Sequence, residues 1–457
     1  MPHPAFGIIE NFSNLLREPI FQGAIWAGIT EVFKSRRDHG LQDESVGSFF
    51  SRRLSKPLVD RILTGVLHGI YAGDAWQLSA KSLFPGPWRD EAQEASLLNG
   101  MVKARAEGLE VSRREAEYLQ EMKILDWDPL LKATLAESTV FTLKDGLGML
   151  SDGLIRHLMG TGSVEFKTST PVTAVSVSND KARVQLSAGD DHNPSSYSQV
   201  ISALAPDHLN KLNKGTSLIP TIPYVTVMTV NLYYRTPNMN PPGFGYLIPQ
   251  ATPFENNPER ALGVIFDTAY SPSPQDVDPK NWAITDTEVL QQTRDRGEVV
   301  NINDFVWFNM PNKPNIQDNV PERGTKLTVM LGGHWWDGWP SYPDDKEGLE
   351  LAKSLLRRHL GITEEPEASQ VNVQKDCIPQ YTVGHEDRLK TAHNNLWREY
   401  KGRLRVVGNW MAGVGVNDCL RSAWEVARSL KNGKDGTGLE HIGSNEYVRL
   451  KPIKEQQ

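Results

Sequence analysis

The amino-acid sequence predicts a protein of the α/β class that also contains α+β elements, and three observations carry this prediction. Apolar residues recur at helical spacing through much of the first 125 positions, as in Val46, Phe49 and Leu54. From Val164 onward, short β-type runs separated by turn residues replace that spacing. Residues 404–430 then read as a strand, a glycine-rich loop and a helix, which is the order in which α/β folds bind dinucleotides.

Length, charge and cysteine content restrict the class of protein. The 457 residues suggest about two to three domains, and the net charge of −7 argues against a nucleic-acid partner. No apolar run reaches about 18 residues, so no transmembrane helix is predicted. The two cysteines, Cys377 and Cys419, are too few for a disulfide framework or a cysteine-based zinc site.

The N-terminal segment is strongly apolar. Residues 6–33 carry large apolar side chains at steps of three and four, which predicts two amphipathic helices broken near Pro19. Lys34, Arg36 and Arg37 follow at once. One interpretation is a surface in a membrane interface with its basic groups at the headgroups, and the other is an ordinary pair of core-facing helices. The first residues contain neither the basic region of a secretory signal nor an Arg-rich mitochondrial presequence.

Local patterns predict the remaining elements. Helices are expected over 58–73, 347–360 and 417–430, and a solvated helix or mobile loop over 102–124. Strands are expected at 164–166, 172–177, 184–186, 200–203, 223–234, 327–331 and 404–407. Residues 271–321 contain little that could bury a core and are interpreted as a surface insertion.

Two glycine-containing segments differ in the order of helix, glycine loop and strand along the chain. A helix with Leu147, Leu150 and Leu154 on one face runs into Gly160 and Gly162, so these glycines close a helix rather than open one. Residues 404–430 have the opposite order, in which the helix N-terminus and its free N–H groups point toward the loop. Such an end suits a phosphate or a developing anion on a cofactor ring, although the bare pattern also fits a plain structural turn.

The C-terminal helix is expected to bury one side. Its small and apolar residues are placed at helical spacing: Leu420, Ala423, Trp424, Ala427 and Leu430.

Read together, several stretches resemble the protoporphyrinogen oxidase family. The strongest match is Gly408-Asn-Trp-Met-Ala-Gly-Val-Gly-Val-Asn-Asp-Cys419 with the small-residue helix after it. Further similar segments are Lys144-Asp-Gly-Leu-Gly-Met-Leu150, Ser45 to Leu54, Gly69 to Ser79, Gly243-Phe-Gly-Tyr-Leu-Ile-Pro249, Leu327 to Gly333 and Cys377 to His385. The resemblance runs in register from about residue 1 to 432, apart from an insertion at about 277–321.

This resemblance implies a fold of three parts. A helical, membrane-associating domain would span 1–125, and a mixed-sheet substrate domain would span 211–399. An FAD-binding Rossmann-like domain, incomplete at its N-terminus, would combine 126–210 with 400–457. The family seats its helical domain on the mitochondrial inner membrane, on the intermembrane-space side, as a monotopic protein, and a homodimer is compatible with the resemblance.

It also implies a reaction and the residues that serve it. Protoporphyrinogen IX would be oxidised to protoporphyrin IX by FAD, with O₂ as the electron acceptor, in haem biosynthesis. The match assigns FAD contacts to eight positions: Val172, Gly408, Asn409, Val414, Gly415, Val416, Asn417 and Asp418. It assigns the porphyrinogen pocket to Phe244, Leu247 and Met330. No catalytic residue and no metal site is predicted, and His68, His157, His334 and His385 are interpreted as structural.

The sequence departs from the family in three places. We find no GxGxxG fingerprint for the FAD pyrophosphate in the 457 residues. Phe6 stands where the family has an arginine for a substrate propionate, and Glu386 stands where the family can place a flavin-facing tryptophan. Three hypotheses follow: a porphyrinogen-oxidising enzyme whose sequence is truncated here by a misplaced start codon, a genuinely short, non-catalytic porphyrin- or partner-binding remnant, and a different FAD-dependent amine oxidase.

Overall fold

The structure is a computed structural model that describes residues 19–129, 131–132, 135, 143, 146–189, 194–215, 217–241, 243–269, 324–442 and 446–450. Its helices are α1 (Ala24–Glu31), α2 (Val46–Arg53), α3 (Lys56–Leu58), α4 (Thr64–Tyr71), α5 (Ala80–Leu83), α6 (Pro85–Glu94), α7 (Leu97–Glu107), α8 (Arg113–Ile124), α9 (Gly148–Gly160), α10 (Pro206–Leu212), α11 (Asp345–Leu360), α12 (His385–Tyr400) and α13 (Val416–Lys431). Its strands are β1 (Leu109–Ser112), β2 (Val172–Val177), β3 (Val184–Ala188), β4 (Ser195–Tyr197), β5 (Val200–Ser202), β6 (Tyr224–Tyr234), β7 (Gly245–Leu247), β8 (Ala261–Phe266), β9 (Thr325–Gly332), β10 (Ala368–Pro379), β11 (Leu404–Val406) and β12 (Tyr447–Leu450).

Helices α2 to α7 pack around a core of their own. The Ser45 side chain caps α2 by accepting a hydrogen bond from the Ser48 backbone N–H at 3.2 Å. A π-helical turn, Val59–Leu63, joins α3 to α4. The apolar stripes predicted for these helices supply the buried cluster, which includes Val46, Phe49, Val59, Leu67, Leu78 and Trp88.

A network of buried charges holds α1, α2 and α6 together. Arg53 and Glu31 form an ion pair in which both side chains are fully buried, and Arg37 pairs with Glu91 at 2.8 Å. Burial alone would raise the pKa of Glu31, but hydrogen bonds from Ser96, from the Leu97 backbone and from Arg53 outweigh it and hold that pKa below its ordinary value. Charges this deeply buried persist only when they are paired.

The central feature is a five-stranded antiparallel sheet in the order β10-β6-β9-β8-β7. The strands predicted at 223–234 and 327–331 are β6 and β9, and both predictions are confirmed. One face of the sheet packs against α11, whose Ala352, Leu355 and Leu356 are fully buried. That helix is the one predicted at 347–360. Its N-terminus carries a capping box formed by Asp344 and Glu347.

A second core joins segments that are far apart in sequence. Strand β11 pairs in parallel with β5, so that Leu404 faces Val200. The three-stranded meander β2-β3-β4 lies beside it and contributes Val175 to the same buried cluster as Trp410. The parallel pair brings together two segments that the resemblance assigns to one FAD-binding part. The division into three domains stays a prediction.

Several expectations from the sequence were wrong, and others concern residues outside those that the structure describes. Residues 164–166 form no strand, because no described strand lies beside them to supply hydrogen bonds. The stripe predicted on α13 is not its buried side, since Leu420, Ala423 and Ala427 are exposed and Ser422 and Val426 are buried. The first helix predicted within 6–33 lies largely outside the described residues, as does the insertion at 271–321.

The segment 102–124 is ordered, and it reaches the C-terminal part of the chain. It comprises the end of α7, strand β1 and helix α8, and no residue of α8 is buried. Strand β1 pairs antiparallel with β12. Helix α8 contacts α13 through an ion pair between Arg114 Nη1 and Glu425 Oε2 at 3.0 Å and through a hydrogen bond from Trp424 Nε1 to Glu121 Oε2 at 3.1 Å. Of the two alternatives for this segment, the solvated helix is the better description.

Within the described part of the chain, no helix is both long and apolar enough to cross a bilayer.

Candidate functional site

The loop between β11 and α13 folds tightly enough to require glycine. Gly413 has φ +142°, and a Cβ atom there would lie 2.1 Å from Cγ of Asp418. A Cβ on Gly408 would lie 2.9 Å from the Trp410 ring. Both contacts are closer than real Cβ atoms allow, so the backbone can take this path only without side chains at these two positions.

The N-terminus of α13 is open at the surface. Gly415, Val416 and Asn417 are exposed, and no side chain caps the first turn of this helix of 16 residues. Asp418 turns back over the loop and pairs with Arg421, with Oδ1 and Nη2 3.2 Å apart. The uncapped N–H groups and the helix dipole therefore offer positive potential to a bound anion, and the glycine cradle fits a flat cofactor ring with a negative edge.

Tyr381 connects this loop to the rest of the protein. Its hydroxyl donates a hydrogen bond to the Asn409 carbonyl and accepts one from the Gly413 N–H at 2.9 Å. Its ring stacks on His385, with centroids 4.2 Å apart and an angle of 8° between planes. On the other side the Tyr71 ring packs edge-on at 5.9 Å. Burial, and then the charge of Asp418, raise the pKa of Tyr71 to about 12, so its hydroxyl stays protonated.

An apolar face lies on the side of the five-stranded sheet that α11 does not cover. Leu247, Gly263 and Met330 are directly paired across β7, β8 and β9, so they share one face. Gly263 has no side chain, and Leu247 fills the space beside it, with Cδ2 of Leu247 3.0 Å from where a Cβ atom of Gly263 would lie. Leu247 also lies against α4, because a Cβ atom on Gly69 would be 2.9 Å from its Cδ1. Phe244 is 62% exposed at the edge of this face.

The loop and the apolar face are neighbours. Ala72, which follows Tyr71, belongs to a buried cluster against which Met330 and Cys377 pack. Because Tyr71 also contacts Tyr381, a continuous set of side chains runs from the α13 loop to the sheet face. A flat ligand on that face and a cofactor ring at the α13 N-terminus would therefore be adjacent.

The predicted site residues fall into three groups. The structure brings Gly408 to Asp418 together in one loop, and it brings Leu247 and Met330 together through strand pairing, with Phe244 at the rim. Val172 is 38% exposed at the start of β2, and no described contact links it to the loop. Its strand reaches that region through Val175, which is buried in the same cluster as Trp410, and through Val177, which packs against that cluster. The role of each of these residues stays a prediction.

The sequence interpretation missed Tyr71 and Tyr381. Both lie in segments quoted for the family resemblance, but neither received a role. Aromatic residues next to glycines in Tyr71-Ala-Gly73 and Tyr381-Thr-Val-Gly384 were the available signal. The partners of the Tyr381 hydroxyl are 28 and 32 residues away in sequence, so no local pattern could have shown them.

Two buried histidines face each other near the apolar face. His68 Nδ1 lies 2.6 Å from the Ile248 carbonyl oxygen, and its Nε2 lies 2.9 Å from Nε2 of His334. If Nδ1 donates to that carbonyl, Nε2 accepts and His334 donates. Burial and the neighbouring ring lower the pKa of His334 to about 4. Both rings are therefore neutral near pH 7, and no group of three metal-ligating side chains occurs in the described residues.

Glu386 occupies the position at which the family can have a flavin-facing tryptophan, and its side chain forms an ion pair instead. Glu386 Oε2 lies 2.9 Å from Lys81 Nζ, so the side chain pairs with α5. The position of Phe6 lies outside the described residues.

Comparison with known proteins agrees with this geometry. The family described as flavin containing amine oxidoreductase matches residues 10–431. A protoporphyrinogen oxidase from Schizosaccharomyces pombe is 28% identical over 439 residues, covering 94% of this chain and 76% of the relative. The human protoporphyrinogen oxidase is 27% identical, covering 90% and 73%. A crystal structure from Exiguobacterium sp. 255-15, provisionally named a protoporphyrinogen oxidase, has a TM-score of 0.58 at 19% identity, with 94% and 76% covered.

A parallel strand pair, a glycine loop and an open helix N-terminus beside an apolar sheet face define a flavoprotein oxidoreductase of the α/β class. The chain belongs to the flavin-containing amine oxidoreductase family. The prediction of FAD as cofactor and the resemblance to protoporphyrinogen oxidases are thereby confirmed.

Proposed function

We propose that this chain oxidises protoporphyrinogen IX to protoporphyrin IX in haem biosynthesis, with FAD as the hydride acceptor and O₂ as the final electron acceptor. The carrying observation is that the open N-terminus of α13 adjoins the apolar face of Leu247, Gly263 and Met330. The curated relatives named protoporphyrinogen oxidase support the choice of substrate, which the fold alone does not determine.

The residues around the cofactor act by binding and orientation. When bound, FAD would supply three successive two-electron oxidations, each followed by its reoxidation by O₂ to H₂O₂, because the porphyrinogen loses six electrons in becoming a porphyrin. Val414, Gly415, Val416 and Asn417 would hold its pyrimidine side, where the positive end of the α13 dipole stabilises the negative charge that reduction creates. Asp418 is already occupied by Arg421, so it keeps the loop closed over Gly413.

The apolar face of the sheet would select its substrate by shape and polarity. Leu247 and Met330 would offer apolar contact to a flat macrocycle. Phe244, at the rim, can pack against its edge. His68 and His334 are neutral and engaged with each other, so the proposal assigns them no proton transfer.

We also propose that the helical part lies on a membrane, as the resemblance implies for the mitochondrial inner membrane, and that the chain forms a homodimer there. The supporting observation is the outer side of α1 and the turn after it, where Trp26, Ile29 and Phe33 are 70%, 53% and 84% exposed. Of the basic groups expected at the headgroups, Lys34 donates to the Leu54 carbonyl and Arg37 pairs with Glu91. The proposal therefore depends on the apolar side chains.

The test is to purify the chain with FAD supplied, record its visible spectrum, and assay porphyrin fluorescence and peroxide formation from protoporphyrinogen IX. We expect a flavin spectrum and porphyrin formation at a rate at least about tenfold above air oxidation, since positioning alone contributes more than this in enzymes. The Gly413→Ala variant is the control for the loop, because its Cβ would overlap Asp418.

Other outcomes of this test would favour one of the two alternative functions. Bound flavin that is reduced by amines and not by porphyrinogens would indicate a different amine oxidase. A protein that binds protoporphyrin without flavin would be a non-catalytic remnant. Either result would overturn the proposed reaction.

A further inference from the structure

We infer that Tyr381 is a positioning residue for the flavin, with its hydroxyl fixing the bend of the Asn409–Gly413 loop that precedes the N-terminus of α13. This inference rests on the proposed function, because it assumes that α13 faces the flavin. It adds a residue to which neither the resemblance nor the predicted site gave a role.

The hydroxyl group spans the loop. It donates to the carbonyl of Asn409 and accepts from the N–H of Gly413 at 2.9 Å, so one atom links the two ends of the bend. Tyr381 is 2% exposed, and water therefore cannot easily replace these bonds. Without the hydroxyl, two buried backbone groups would lose their partner.

The ring itself is fixed from two sides. His385 stacks on one face at 4.2 Å, and the Tyr71 ring meets Tyr381 edge-on at 5.9 Å. The Tyr381 backbone carbonyl also accepts a hydrogen bond from the Ser79 N–H at 2.7 Å. These contacts therefore fix the position of the hydroxyl group, and the conformation of the loop depends on that position.

One buried donor of the loop is unpartnered among the described residues. Trp410, within the loop, is 1% exposed, and its Nε1 has no hydrogen-bond partner in that set. His385, at the start of α12, is also 1% exposed, and its ring meets the backbone of Trp410 and Met411. An unpaired buried donor in this loop is expected if ligand binding completes the final conformation of the loop.

The chain offers a matched control for removing the hydroxyl. Tyr400 is 1% exposed in the same half of the molecule, and its hydroxyl bonds Asn213 Oδ1 at 3.0 Å, away from the loop. Tyr381→Phe and Tyr400→Phe each delete one buried, hydrogen-bonded oxygen. Any effect common to both variants is structural, and an effect specific to Tyr381→Phe reports on the loop.

Two measurements are made on the full chain. The first is amide hydrogen exchange of the loop without FAD, where we expect Gly413 to exchange about fivefold or more faster in Tyr381→Phe and not in Tyr400→Phe, as for loss of one net hydrogen bond. The second is FAD affinity and the flavin midpoint potential by spectrophotometry. We expect weaker binding and a shifted potential only in Tyr381→Phe, and His385→Ala to change both in the same direction.

The results distinguish this inference from the proposed function. Equal FAD affinity and equal midpoint potential in Tyr381→Phe and Tyr400→Phe would overturn the positioning role, even if both variants are less stable. If the unmodified chain binds no FAD, the proposed function fails, and the exchange measurement still decides whether Tyr381 holds the loop. Equal Gly413 exchange in the two variants would then overturn the inference by itself.

Discussion

Gly413 and Tyr381 show which single-residue roles a sequence can reveal. A glycine in a strand–loop–helix segment signals a backbone that cannot carry a side chain, and the structure gives the reason in the Asp418 carboxyl group lying where its Cβ would be. Tyr381 gives no such signal, because its role depends on contacts made only after distant segments meet. The roles given to Phe244, Leu247 and Met330 come only from the resemblance and stay predictions.

The buried Glu31–Arg53 pair gives a residue-scale prediction for stability and pH. The folded pKa of Glu31 lies below its ordinary value of 4.5, so its stabilising contribution is present above that value and is lost as pH falls through the folded pKa. Glu31→Gln leaves the fully buried Arg53 without its carboxylate and should lower the free energy of unfolding by about 3 kcal/mol near pH 7. Denaturant unfolding at pH 7 and at pH 4 measures both effects, and the difference from the unmodified chain should shrink at the lower pH.

The control is Glu350→Gln, whose partner Lys353 keeps a second ion pair with Glu365 and whose own side chain is 63% exposed. That change should cost under about 1 kcal/mol. A loss at Glu31 no larger than at Glu350, or one independent of pH, would contradict the role given to the buried pair.

At the scale of elements, the spacing of apolar residues correctly predicted those helices and strands for which a single local pattern is sufficient. Strand β6 and helix α11 follow from alternating and helical spacing, and both are observed. Residues 164–166 are not a strand, because a strand forms only beside a partner. The buried side of α13 was wrongly predicted, because Ser422 and Val426 face the interior while Leu420 is exposed, and the sequence does not show which side of a helix meets its neighbours. Strand β10 and helix α12 were missed because charged residues interrupt their apolar patterns.

The exposed side of α1 leads to an element-scale prediction about membranes. Phe33 is 84% exposed beside Trp26 and Ile29, whereas Ile124, at the end of the surface helix α8, is 80% exposed next to Leu125. Phe33→Ser should weaken binding to phospholipid vesicles about tenfold, because burial of one large apolar side chain contributes about 1.5–3 kcal/mol. Ile124→Ser should leave vesicle co-sedimentation unchanged. Similar losses in both variants, or none in either, would count against α1 as the membrane-facing element.

At the scale of the whole molecule, the apolar surface is distributed unevenly. Helix α9 has no buried residue although it is rich in leucine and methionine, and Leu147, Leu154 and Met159 are 65%, 57% and 63% exposed. Contiguous apolar surface of this kind binds partners or hydrophobic dyes in solution. The sequence predicted this helix and its apolar side correctly, but whether that side is covered depends on tertiary structure.

The chain as described should therefore bind the dye anilinonaphthalene sulfonate through α9. Leu154→Lys combined with Met159→Lys should reduce the dye fluorescence clearly and change the free energy of unfolding by no more than about 0.5 kcal/mol per site. Leu396→Ala, at a fully buried position on α12, should cost about 2–5 kcal/mol and serves as the core control. A stability loss on α9 as large as that at Leu396 would mean that the helix is packed in solution.

One cysteine lies by the sheet face and the other at the start of α13. Cys377 and Met330 pack against the same buried cluster, and Cys419 lies in the first turn of α13, next to Asp418. Both thiols are free and partly buried, and burial raises the pKa of each, so labelling will need mildly alkaline conditions. The sequence contains no other cysteine. Spin labels on the natural thiols would therefore report the distance between the sheet face and the start of α13 directly, with FAD and a porphyrin added in turn and no engineered residue.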